Sequence, residues 1–459
     1  MSLKKNDTAT VKIEDIGTGG EGIGKVDGYT LFVKDAIIGD TVEVKVIKAK
    51  KNYGYGRLMK ILTPSADRVE PKCPVARQCG GCQIQEMSYE SQLAFKQNMV
   101  RNNLLRLGGL AEDAYEMCPI IGMEEPFYYR NKAQYPVGQD HDGNIIMGFY
   151  AGRTHAIIDN TDCTIGAKGN QEILEAIKTF MQENAIKPYN EISGTGLVRH
   201  VLIRTGFQTG EVMVCLVING KKLANADKLV DKLKDKKGMT SIMLNFNTEK
   251  TNVILGKKCE TLWGRAYIED YIGDVKYQIS PLSFFQVNPQ QTTKLYQKAL
   301  EYAGLTGNET VWDLYCGIGT ISLFLAKQAK KVYGVEIVPQ AIEDANNNAK
   351  INNISNAEFF VGKAEEVLPD FYENEAKEGR KAHADVIVVD PPRKGCDEVL
   401  LDTIVKMQPD RMVYVSCDSA TLARDLKFMT ANGYRVVKVQ PVDQFAHSVH
   451  VETVALLTK

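Results

Sequence analysis

The second half of this sequence alternates short apolar runs with stretches of helical character. The apolar runs lie at residues 310–314, 331–337, 357–361, 385–389 and 411–416. Helix-length segments separate them, as parallel strands joined by crossover helices require. Two further runs, at 434–442 and 451–457, are spaced like an antiparallel hairpin. From about residue 276 onward, the sequence therefore predicts an open α/β sheet of the Rossmann-like kind, mostly parallel.

The first 65 residues follow a different pattern, which is typical of a small β-barrel. Strand-like runs at 29–33, 41–47 and 55–62 alternate with turns, and five glycines interrupt the chain between residues 17 and 24. Residues 66–275 mix a helix at 89–107 with further strands, which is an α+β pattern. Since 459 residues exceed what one core accommodates, we expect three units, at 1–65, 66–275 and 276–459.

Composition narrows the class of protein. The formal net charge is -1, so any nucleic-acid surface must be a local patch. No stretch approaches the roughly 20 apolar residues of a membrane-spanning helix, and the N-terminus lacks the apolar core of a signal peptide. We therefore expect a cytoplasmic protein with no membrane partner, whose ten cysteines stay reduced.

A glycine-containing loop follows the first strand of the α/β half, at residues 313–320. Glycines there let the backbone approach a ligand closely, and Glu336 ends the next strand, where a ribose hydroxyl needs an acceptor. The third glycine of a dinucleotide fingerprint is missing, which favours a nucleoside without a pyrophosphate, such as S-adenosylmethionine. A plain turn with a surface glutamate is the alternative. Upstream, Gln286 and Asn288 either bind such a cofactor or cap the helix that Pro289 begins.

Three further segments bring reactive groups to strand ends. Asp390 and Arg393 surround a rigid pair of prolines after one strand, where an open α/β sheet binds its ligand. Cys417 follows the next strand and precedes a helix, whose N-terminus is expected to lower the pKa of the thiol toward neutrality. Glu452 begins the last strand as a candidate base, although position alone favours an exposed edge residue.

These groups fit one reaction, the methylation of C5 of uracil. C5 is a poor nucleophile until a thiolate adds to C6 and turns the ring into an enolate. After methyl transfer, a base must remove the C5 proton so that the thiol can leave. The reaction needs a thiolate, a methyl donor, hydrogen-bond donors for the ring oxygens and one base.

Three cysteines crowd together in the middle unit as Cys73-x5-Cys79-x2-Cys82. Three thiolates within reach of one centre indicate zinc or an iron–sulfur cluster. The fourth ligand must come from elsewhere in the chain, with Cys118 and Cys163 as the nearest candidates. Spacing does not choose between the two metals or the two cysteines.

Together these segments resemble the bacterial RNA uracil-C5 methyltransferases, in particular the 23S ribosomal RNA (uracil-5-)-methyltransferase branch. The resemblance covers essentially the whole chain. Its most specific motifs are DLYCGIGT at residues 313–320, DPPRKG at 390–395, YVSCDSATLARD at 414–425 and the terminal His450-Val-Glu. The N-terminal barrel is similar to a TRAM domain, an OB-like RNA-binding module, with Lys48, Lys50, Lys51, Tyr53 and Tyr55 interleaving positive charge and aromatic rings.

The resemblance implies a role for each candidate residue. It implies Cys417 as nucleophile and Glu452 as base, and a [4Fe-4S] cluster on four cysteines. The implied cluster ligands are Cys73, Cys79, Cys82 and Cys163. The implied contacts to S-adenosylmethionine are Gln286, Tyr315, Thr320, Glu336, Lys363 and Asp390, although some relatives have asparagine in place of Thr320.

The resemblance also implies a substrate. The barrel and the four cysteines indicate 23S ribosomal RNA rather than the shorter transfer-RNA branch, and similarity to enzymes of low-GC Gram-positive bacteria indicates the dual-site type. We expect a monomer with no obligate protein partner, acting on a single-stranded or loop segment. The alternatives are a transfer-RNA uracil-C5 enzyme, an RNA cytosine-C5 methyltransferase and a non-enzymatic RNA-binding iron–sulfur protein.

Overall fold

The first five strands close into a barrel, as the sequence predicts. The computed structural model describes residues 3–379 and 383–459. The barrel strands follow one another around it in the order β1-β2-β3-β5-β4, and β4 pairs back to β1. Their bounds are β1 (Thr8–Ile16), β2 (Gly22–Val26), β3 (Tyr29–Val33), β4 (Thr41–Ala49) and β5 (Tyr53–Thr63).

Alternation of side chains explains the barrel core. Inward residues such as Leu31, Val33 and Val44 are fully buried, while their neighbours along each strand face outward. A Cβ atom at Gly24 would lie 2.2 Å from the carbonyl oxygen of Lys12, so the close approach of β2 to β1 requires glycine there. The barrel therefore depends on the glycine-rich segment that the sequence singles out.

A long helix and a short strand follow the barrel. Helix α1 (Tyr89–Arg106) begins at Ser88, whose hydroxyl accepts a hydrogen bond from the Ser91 amide at 3.3 Å. Strand β6 (Glu116–Met117) comes next.

The middle of the chain forms a seven-stranded sheet in the order β13-β12-β11-β10-β7-β8-β9. Two helices cover one face with apolar side chains, and strands β10 and β11 are almost continuously buried. The elements are β7 (Lys132–Gln139), β8 (Ile145–Tyr150), β9 (Ile157–Asp159), α2 (Asn170–Glu183), β10 (Val198–Thr205), β11 (Val212–Ile218), α3 (Ala226–Leu233), β12 (Met239–Phe246) and β13 (Lys258–Gly264).

A two-stranded hairpin links this sheet to the last one. Its strands are β14 (Ile268–Ile272) and β15 (Val275–Ile279). Its buried side chains share one hydrophobic core with Leu202 and Met213 of the middle sheet and with Leu295 of the following helix. The two sheets are therefore held against each other by apolar packing through this hairpin.

The C-terminal part confirms the predicted α/β architecture. Its sheet has the order β18-β17-β16-β19-β20-β22-β21-β6, parallel from β18 to β20, with β22 antiparallel to both of its neighbours. The elements are α4 (Pro289–Ala303), β16 (Thr310–Leu314), α5 (Thr320–Ala326), β17 (Lys331–Glu336), α6 (Pro339–Ile351), β18 (Ala357–Val361), α7 (Ala364–Lys377), β19 (Val386–Val389), α8 (Glu398–Met407), β20 (Arg411–Ser416), α9 (Ser419–Ala431), β21 (Arg435–Val442) and β22 (Glu452–Thr458).

Strand order reverses between β16 and β19, which places a crevice at the carboxyl ends of these strands. Helices cover both faces, and the two resulting cores are made largely of fully buried Val, Leu, Ile and Met side chains. The crevice is therefore the place where this fold binds ligands.

Two observations bear on the predicted limits of the units. Helix α1 packs against α9, and β6 pairs with β21 at the edge of the C-terminal sheet, so residues 89–117 extend that sheet's core. The predicted limit at 275/276 falls inside β15. The limits at 65 and 275 stay predictions.

Among the described helices, none is long and apolar enough to cross a bilayer.

A buried ion pair ties α1 to the segment between the last two strands. The Lys96 ammonium is fully buried and lies 2.6 Å from a carboxylate oxygen of Asp443. It also donates to the carbonyl oxygen of Phe445 at 2.9 Å, and the Tyr89 hydroxyl donates to the other Asp443 oxygen at 2.8 Å. Both charges are therefore paired and hydrogen-bonded, which makes their burial tolerable.

We expect Lys96→Met to lower the free energy of unfolding by about 3–5 kcal/mol, because it leaves the Asp443 carboxylate buried without its counter-ion. Denaturant unfolding measures this loss. Lys298→Met is the matched control, since Lys298 pairs with Glu301 on the surface and should cost about 0–1 kcal/mol. Equal losses in the two variants would contradict a structural role for the buried pair.

Candidate active site and cysteine centre

Strand pairing brings the proposed nucleophile and base together. Strands β20 and β22 are antiparallel, with Ser416 opposite Thr453. Cys417 and Glu452 are the next residues outward on the two strands, so they leave the sheet side by side. Asp390 follows the neighbouring strand β19 at the same edge. All three therefore lie at the crevice, Cys417 half-buried and Glu452 buried.

The carboxyl groups at this edge have raised pKa values. Burial raises the pKa of Glu452 to about 8; the nearby Asp390 raises it further, and the Arg393 guanidinium lowers it. Burial and the neighbouring Asp313 raise the pKa of Asp390 to about 7. Groups whose pKa values lie near neutrality at a ligand crevice are suited to proton transfer and to binding a cation.

The prediction that a helix N-terminus lowers the pKa of Cys417 is wrong, because the pKa is raised. Burial and the carboxylates of Glu452 and Asp390 raise it to about 12, with Arg393 opposing them. The helix N-terminus does not compensate, because the carboxylate of Asp418 caps α9. It accepts hydrogen bonds from the amides of Ala420 and Thr421 at 2.9 and 3.2 Å. The positive end of the helix is thus used by Asp418 rather than by the thiol.

A buried carboxylate that the sequence did not single out fixes the loop after β19. Asp425 accepts hydrogen bonds from the Tyr414 hydroxyl at 2.6 Å and from the Cys396 amide at 2.9 Å. It therefore links β20 to the loop that carries Asp390 and Arg393. Thr421 makes a second link, since its hydroxyl donates to the Arg393 carbonyl oxygen at 3.2 Å.

The glycine-containing loop after β16 is strained in the manner of a ligand-binding turn. Tyr315 has a φ of 149°, in a region that residues other than glycine rarely adopt. Gly319 precedes α5 with a φ of 82°, and a Cβ atom there would lie 3.2 Å from the Phe359 ring. The buried Asp313 accepts a 2.5 Å hydrogen bond from the Ser322 hydroxyl, which anchors the loop to α5.

Three of the predicted cofactor residues lie near the buried hydroxyl of Tyr296. The Tyr296 hydroxyl donates to the side-chain oxygen of Thr320 at 3.0 Å. Burial and Asp390 raise the pKa of Tyr296, while hydrogen bonds with Thr320 and Gln286 lower it. Gln286, Thr320 and Asp390 therefore surround the same ring. Of the two roles considered for Asn288, the structure shows the cap, since its side chain accepts from the Gln291 amide at 3.3 Å.

Glu336 and Lys363 lie further along the same edge. The Glu336 carboxylate ends β17, half-exposed, and accepts a hydrogen bond from the Val338 amide at 3.0 Å. Lys363 precedes α7 on the surface, where its ammonium lies 3.3 Å from Glu366. Their cofactor contacts remain predictions.

The segment before Glu452, residues 443–450, is held from several sides by groups that the sequence did not reveal. His447 receives hydrogen bonds at its carbonyl oxygen from the amides of Gln83 and Ile84, at 2.9 and 3.1 Å. Its own amide donates to the Gln92 side chain at 2.8 Å. His450 lies 3.3 Å from the Arg393 guanidinium. Their partners are up to about 360 residues away, so no local signal could identify them.

The four cysteines of the implied cluster line one cavity of about 410 Å³, which extends to Arg393 and His450. Cys163 is the fourth cysteine there. Cys118 lies elsewhere, with its sulfur 3.6 Å from the Tyr302 hydroxyl. Two polar groups point at the thiols, since the Gly81 amide lies 3.3 Å from the Cys79 sulfur and the Asn160 amide 3.9 Å from the Cys73 sulfur.

The cysteine sulfurs are not drawn together as tightly as a bound zinc ion would draw them. A single tetrahedral zinc ion, with Zn–S bonds of roughly 2.3 Å, draws its sulfur ligands to about 3.8 Å from one another. In residues 3–379 and 383–459, no three of the cysteine sulfurs lie within 4.8 Å of one another, and the group that meets this limit is the surface set His383, Asp385 and Asp410. The choice between zinc and an iron–sulfur cluster stays a prediction.

Two family models match this chain, one at its N-terminal barrel and one over the rest. The tRNA (Uracil-5-)-methyltransferase family model matches residues 88–459, and the TRAM domain model matches residues 3–59. An RNA methyltransferase of Clostridium tetani, named as uncharacterized, is 51% identical over 100% of this chain and 98% of its own length. A protein of the same name from Halalkalibacterium halodurans is also 51% identical, over 99% of this chain and 98% of its own.

Among solved structures, the Pyrococcus abyssi tRNA (uracil-54, C5)-methyltransferase in complex with S-adenosyl-L-homocysteine is similar over its full length. The TM-score is 0.77 at 28% identity, covering 98% of this chain and 100% of that one. The family model covers all but the N-terminal part, and relatives share half of the residues from end to end. The chain therefore belongs to the tRNA (uracil-5-)-methyltransferase family and carries an N-terminal TRAM domain.

Proposed function

We propose that this protein transfers a methyl group from S-adenosylmethionine to C5 of uridine in RNA, with Cys417 as nucleophile and Glu452 as base. The observation that carries the proposal is the antiparallel pairing of β20 with β22, which sets these two residues side by side at the ligand crevice. A thiol and a carboxyl with a pKa of about 8 are the two groups that the reaction requires there.

The crevice suits a positively charged methyl donor. The half-buried Asp390 and the buried Glu452 are carboxyl groups that raise the pKa of the Cys417 thiol. A cation bound beside them relieves this repulsion and lowers the pKa of Cys417, so the thiol becomes reactive when the site is loaded. S-adenosylmethionine supplies such a sulfonium charge and the methyl group. We assign its binding to Gln286, Tyr315, Thr320, Glu336, Lys363 and Asp390.

The chain's own residues then carry the covalent steps. Cys417 loses its proton to water, its sulfur bonds to C6 of the uracil, and the ring electrons move to the C4 oxygen. Arg393, which already lowers the pKa of the thiol, stabilises the negative charge that develops near it. After C5 has taken the methyl group, the Glu452 carboxylate accepts the C5 proton. The C6–S bond breaks, and the thiolate of Cys417 returns.

The substrate that we propose is 23S ribosomal RNA, with the dual-site type of enzyme as the finer assignment. The four-cysteine pattern and the resemblance of the motifs to 23S ribosomal RNA methyltransferases of low-GC Gram-positive bacteria support it. Chain length and the barrel give no support, because the Pyrococcus abyssi tRNA (uracil-54, C5)-methyltransferase matches 98% of this chain. We further propose a cytoplasmic monomer.

The metal centre that we propose is a [4Fe-4S] cluster on Cys73, Cys79, Cys82 and Cys163. Four thiols around one cavity support it, together with the resemblance of the four-cysteine pattern. The cluster would hold together the loop of residues 79–84, whose last amides contact His447. This role is structural, since methyl transfer needs no electrons.

RNA with 5-fluorouridine at the target should trap the enzyme, because a base cannot remove fluorine as it removes a proton. We expect a stable methylated adduct on Cys417, identified by mass spectrometry, and its loss in Cys417→Ala. Cys118→Ala, which changes another half-buried thiol, should still form it. An adduct on another residue, or methylation of cytidine-only RNA in place of uridine RNA, would overturn the mechanism.

Glu452→Gln should accumulate the covalent adduct even with ordinary uridine RNA, because the amide cannot accept the C5 proton. In the unaltered enzyme, decay of the adduct should speed up as the pH rises through about 8, where Glu452 becomes a carboxylate. Rapid quenching followed by denaturing electrophoresis measures both effects. The surface variant Glu358→Gln should behave as the unaltered enzyme does, and fast product release by Glu452→Gln would exclude it as the base.

Anaerobically purified protein should contain iron and sulfide in equal amounts. We expect Cys163→Ser to lose both, because Cys163 lines the cavity, and Cys118→Ser to retain them. Metal analysis and visible absorption measure the content. One equivalent of zinc with no iron would refute the cluster, and loss of iron in Cys118→Ser instead would reassign the fourth ligand.

A further inference from the structure

The loop between β19 and α8 is held at its backbone by a side chain of α9. This loop, residues 390–397, carries Arg393, and we call it the arginine loop. One terminal nitrogen of Arg424 donates hydrogen bonds to the carbonyl oxygens of Lys394 and Cys396, at 2.9 and 3.2 Å. The two hydrogens of that nitrogen lie in the plane of the guanidinium, so this one group fixes two carbonyl oxygens relative to each other.

Asp425 holds the same loop from inside the protein. Its carboxylate is fully buried, and one oxygen accepts a hydrogen bond from the Nε of Arg424 at 2.8 Å. The other oxygen accepts from the Cys396 amide at 2.9 Å and from the Tyr414 hydroxyl at 2.6 Å. A buried carboxylate is costly without its donors, so a loop that moved away from α9 would leave this charge poorly compensated. We call Arg424 and Asp425 the α9 clamp.

The arginine loop passes very close to the α9 clamp at Gly395. This glycine has a φ of 78°, and a Cβ atom there would lie 2.6 Å from both the Arg424 guanidinium and the Asp425 carboxylate. The Gly395 amide also donates to the Pro392 carbonyl oxygen at 2.8 Å, which closes a turn around Arg393. Glycine is therefore required at this point, and the clamp defines the position of the turn that carries Arg393.

The guanidinium of Arg393 is held separately, by His450. Its Nη2 lies 3.3 Å from the Nε2 of His450, and because arginine has no acceptor, the histidine nitrogen accepts in this contact. Burial and the charge of Arg393 lower the pKa of His450. Lys96 and Arg130 lower this pKa further, and Asp418 opposes them. The imidazole is therefore neutral at neutral pH and able to accept through Nε2.

Arg393 is a cation that acts on both of the proposed reacting groups. Burial raises the pKa of the Cys417 thiol, and three carboxyl groups raise it further, those of Glu452, Asp390 and Asp418. Arg393 lowers this pKa, and it also lowers the pKa of Glu452, which burial and Asp390 raise. Because an electrostatic interaction weakens with distance, a displaced Arg393 would let both pKa values rise together.

We propose that Arg424 and Asp425 are positioning residues for Arg393 in the methyl transfer. By fixing the arginine loop, the α9 clamp keeps the guanidinium close to Cys417 and Glu452. Neither residue of the clamp acts on the RNA or on the methyl donor, since both act through Arg393. This inference rests on the proposed function and adds to it the residues on which the charge balance of the site depends.

Alkylation of Cys417 by iodoacetamide tests the clamp, because the thiolate is the form that reacts and its fraction falls as the pKa rises. The protein is alkylated at about pH 9 without RNA or S-adenosylmethionine, and mass spectrometry follows the peptide that contains Cys417. We expect Arg393→Met to react about tenfold more slowly, since a rise of one pKa unit leaves about a tenth of the thiolate. Arg424→Met should react about threefold more slowly, because Asp425 still holds the loop and displaces Arg393 only in part.

Three comparisons make this test specific. The double variant Arg393→Met/Arg424→Met should react no more slowly than Arg393→Met, because the clamp acts through that arginine. Arg424→Lys should recover part of the rate, since an ammonium restores the charge without the planar arrangement of donors. Lys427→Met, which removes an exposed charge about one turn later on α9, should react as the unaltered protein does.

The catalytic reaction gives a second readout. In Arg424→Met, decay of the RNA adduct should require a higher pH than in the unaltered enzyme, because the pKa of Glu452 rises above about 8. Alkylation of Arg424→Met at the unaltered rate or faster overturns the positioning role, and so does a double variant slowed by the product of the two single effects. Since alkylation needs no RNA, the expected alkylation pattern without any adduct on Cys417 would overturn the catalytic proposal alone.

Discussion

The active-site edge of this protein depends on a buried ion pair far from the chemistry in sequence. The side chains of Lys96 on α1 and Asp443 before the last strand are both fully buried, and each neutralises the charge of the other. Asp443 also accepts a hydrogen bond from the Tyr89 hydroxyl. The side chain of Gln92, one turn before Lys96, accepts a hydrogen bond from the His447 amide. Three side chains of α1 thus fix the path of the chain into Glu452. An ion pair of this kind adds little net stability, but it defines one arrangement because every alternative leaves a charge unpaired.

Local patterns in the sequence were sufficient to predict the helices and strands and to identify the residues that follow each strand. Strands β16, β18 and β20 have the predicted bounds, and Cys417 and Asp390 lie at strand ends because strand periodicity and proline placement are local properties. The neighbour of Cys417 was not predictable in this way. Glu452 reaches it because β22 inserts between β20 and β21, an ordering that short-range spacing does not encode. The same holds for Lys96 and Asp443, which are 347 positions apart.

Electrostatics was the least predictable property. The sequence places Cys417 directly before a helix, and a helix N-terminus normally favours a thiolate. The intervening Asp418 accepts hydrogen bonds from the free amides, and burial and the carboxyl groups of Glu452 and Asp390 raise the pKa of the thiol. The sign of the pKa shift therefore depends on side chains from three strands. The Asn288 cap and the position of Cys163, rather than Cys118, in the cavity of the other three cysteines show the same limit, since both depend on three-dimensional contacts.

The raised pKa of the Cys417 thiol has a consequence for the protein between turnovers. A cysteine that keeps its proton at neutral pH reacts slowly with peroxides, disulfides and electrophilic metabolites, because the thiolate is the form that such reagents attack. Under the proposed mechanism, the resting enzyme accordingly keeps its nucleophile, Cys417, in the unreactive protonated form. Burial and the neighbouring carboxyl groups, with a smaller contribution from Asp418, thus keep the half-buried sulfur protonated and protect it from irreversible oxidation.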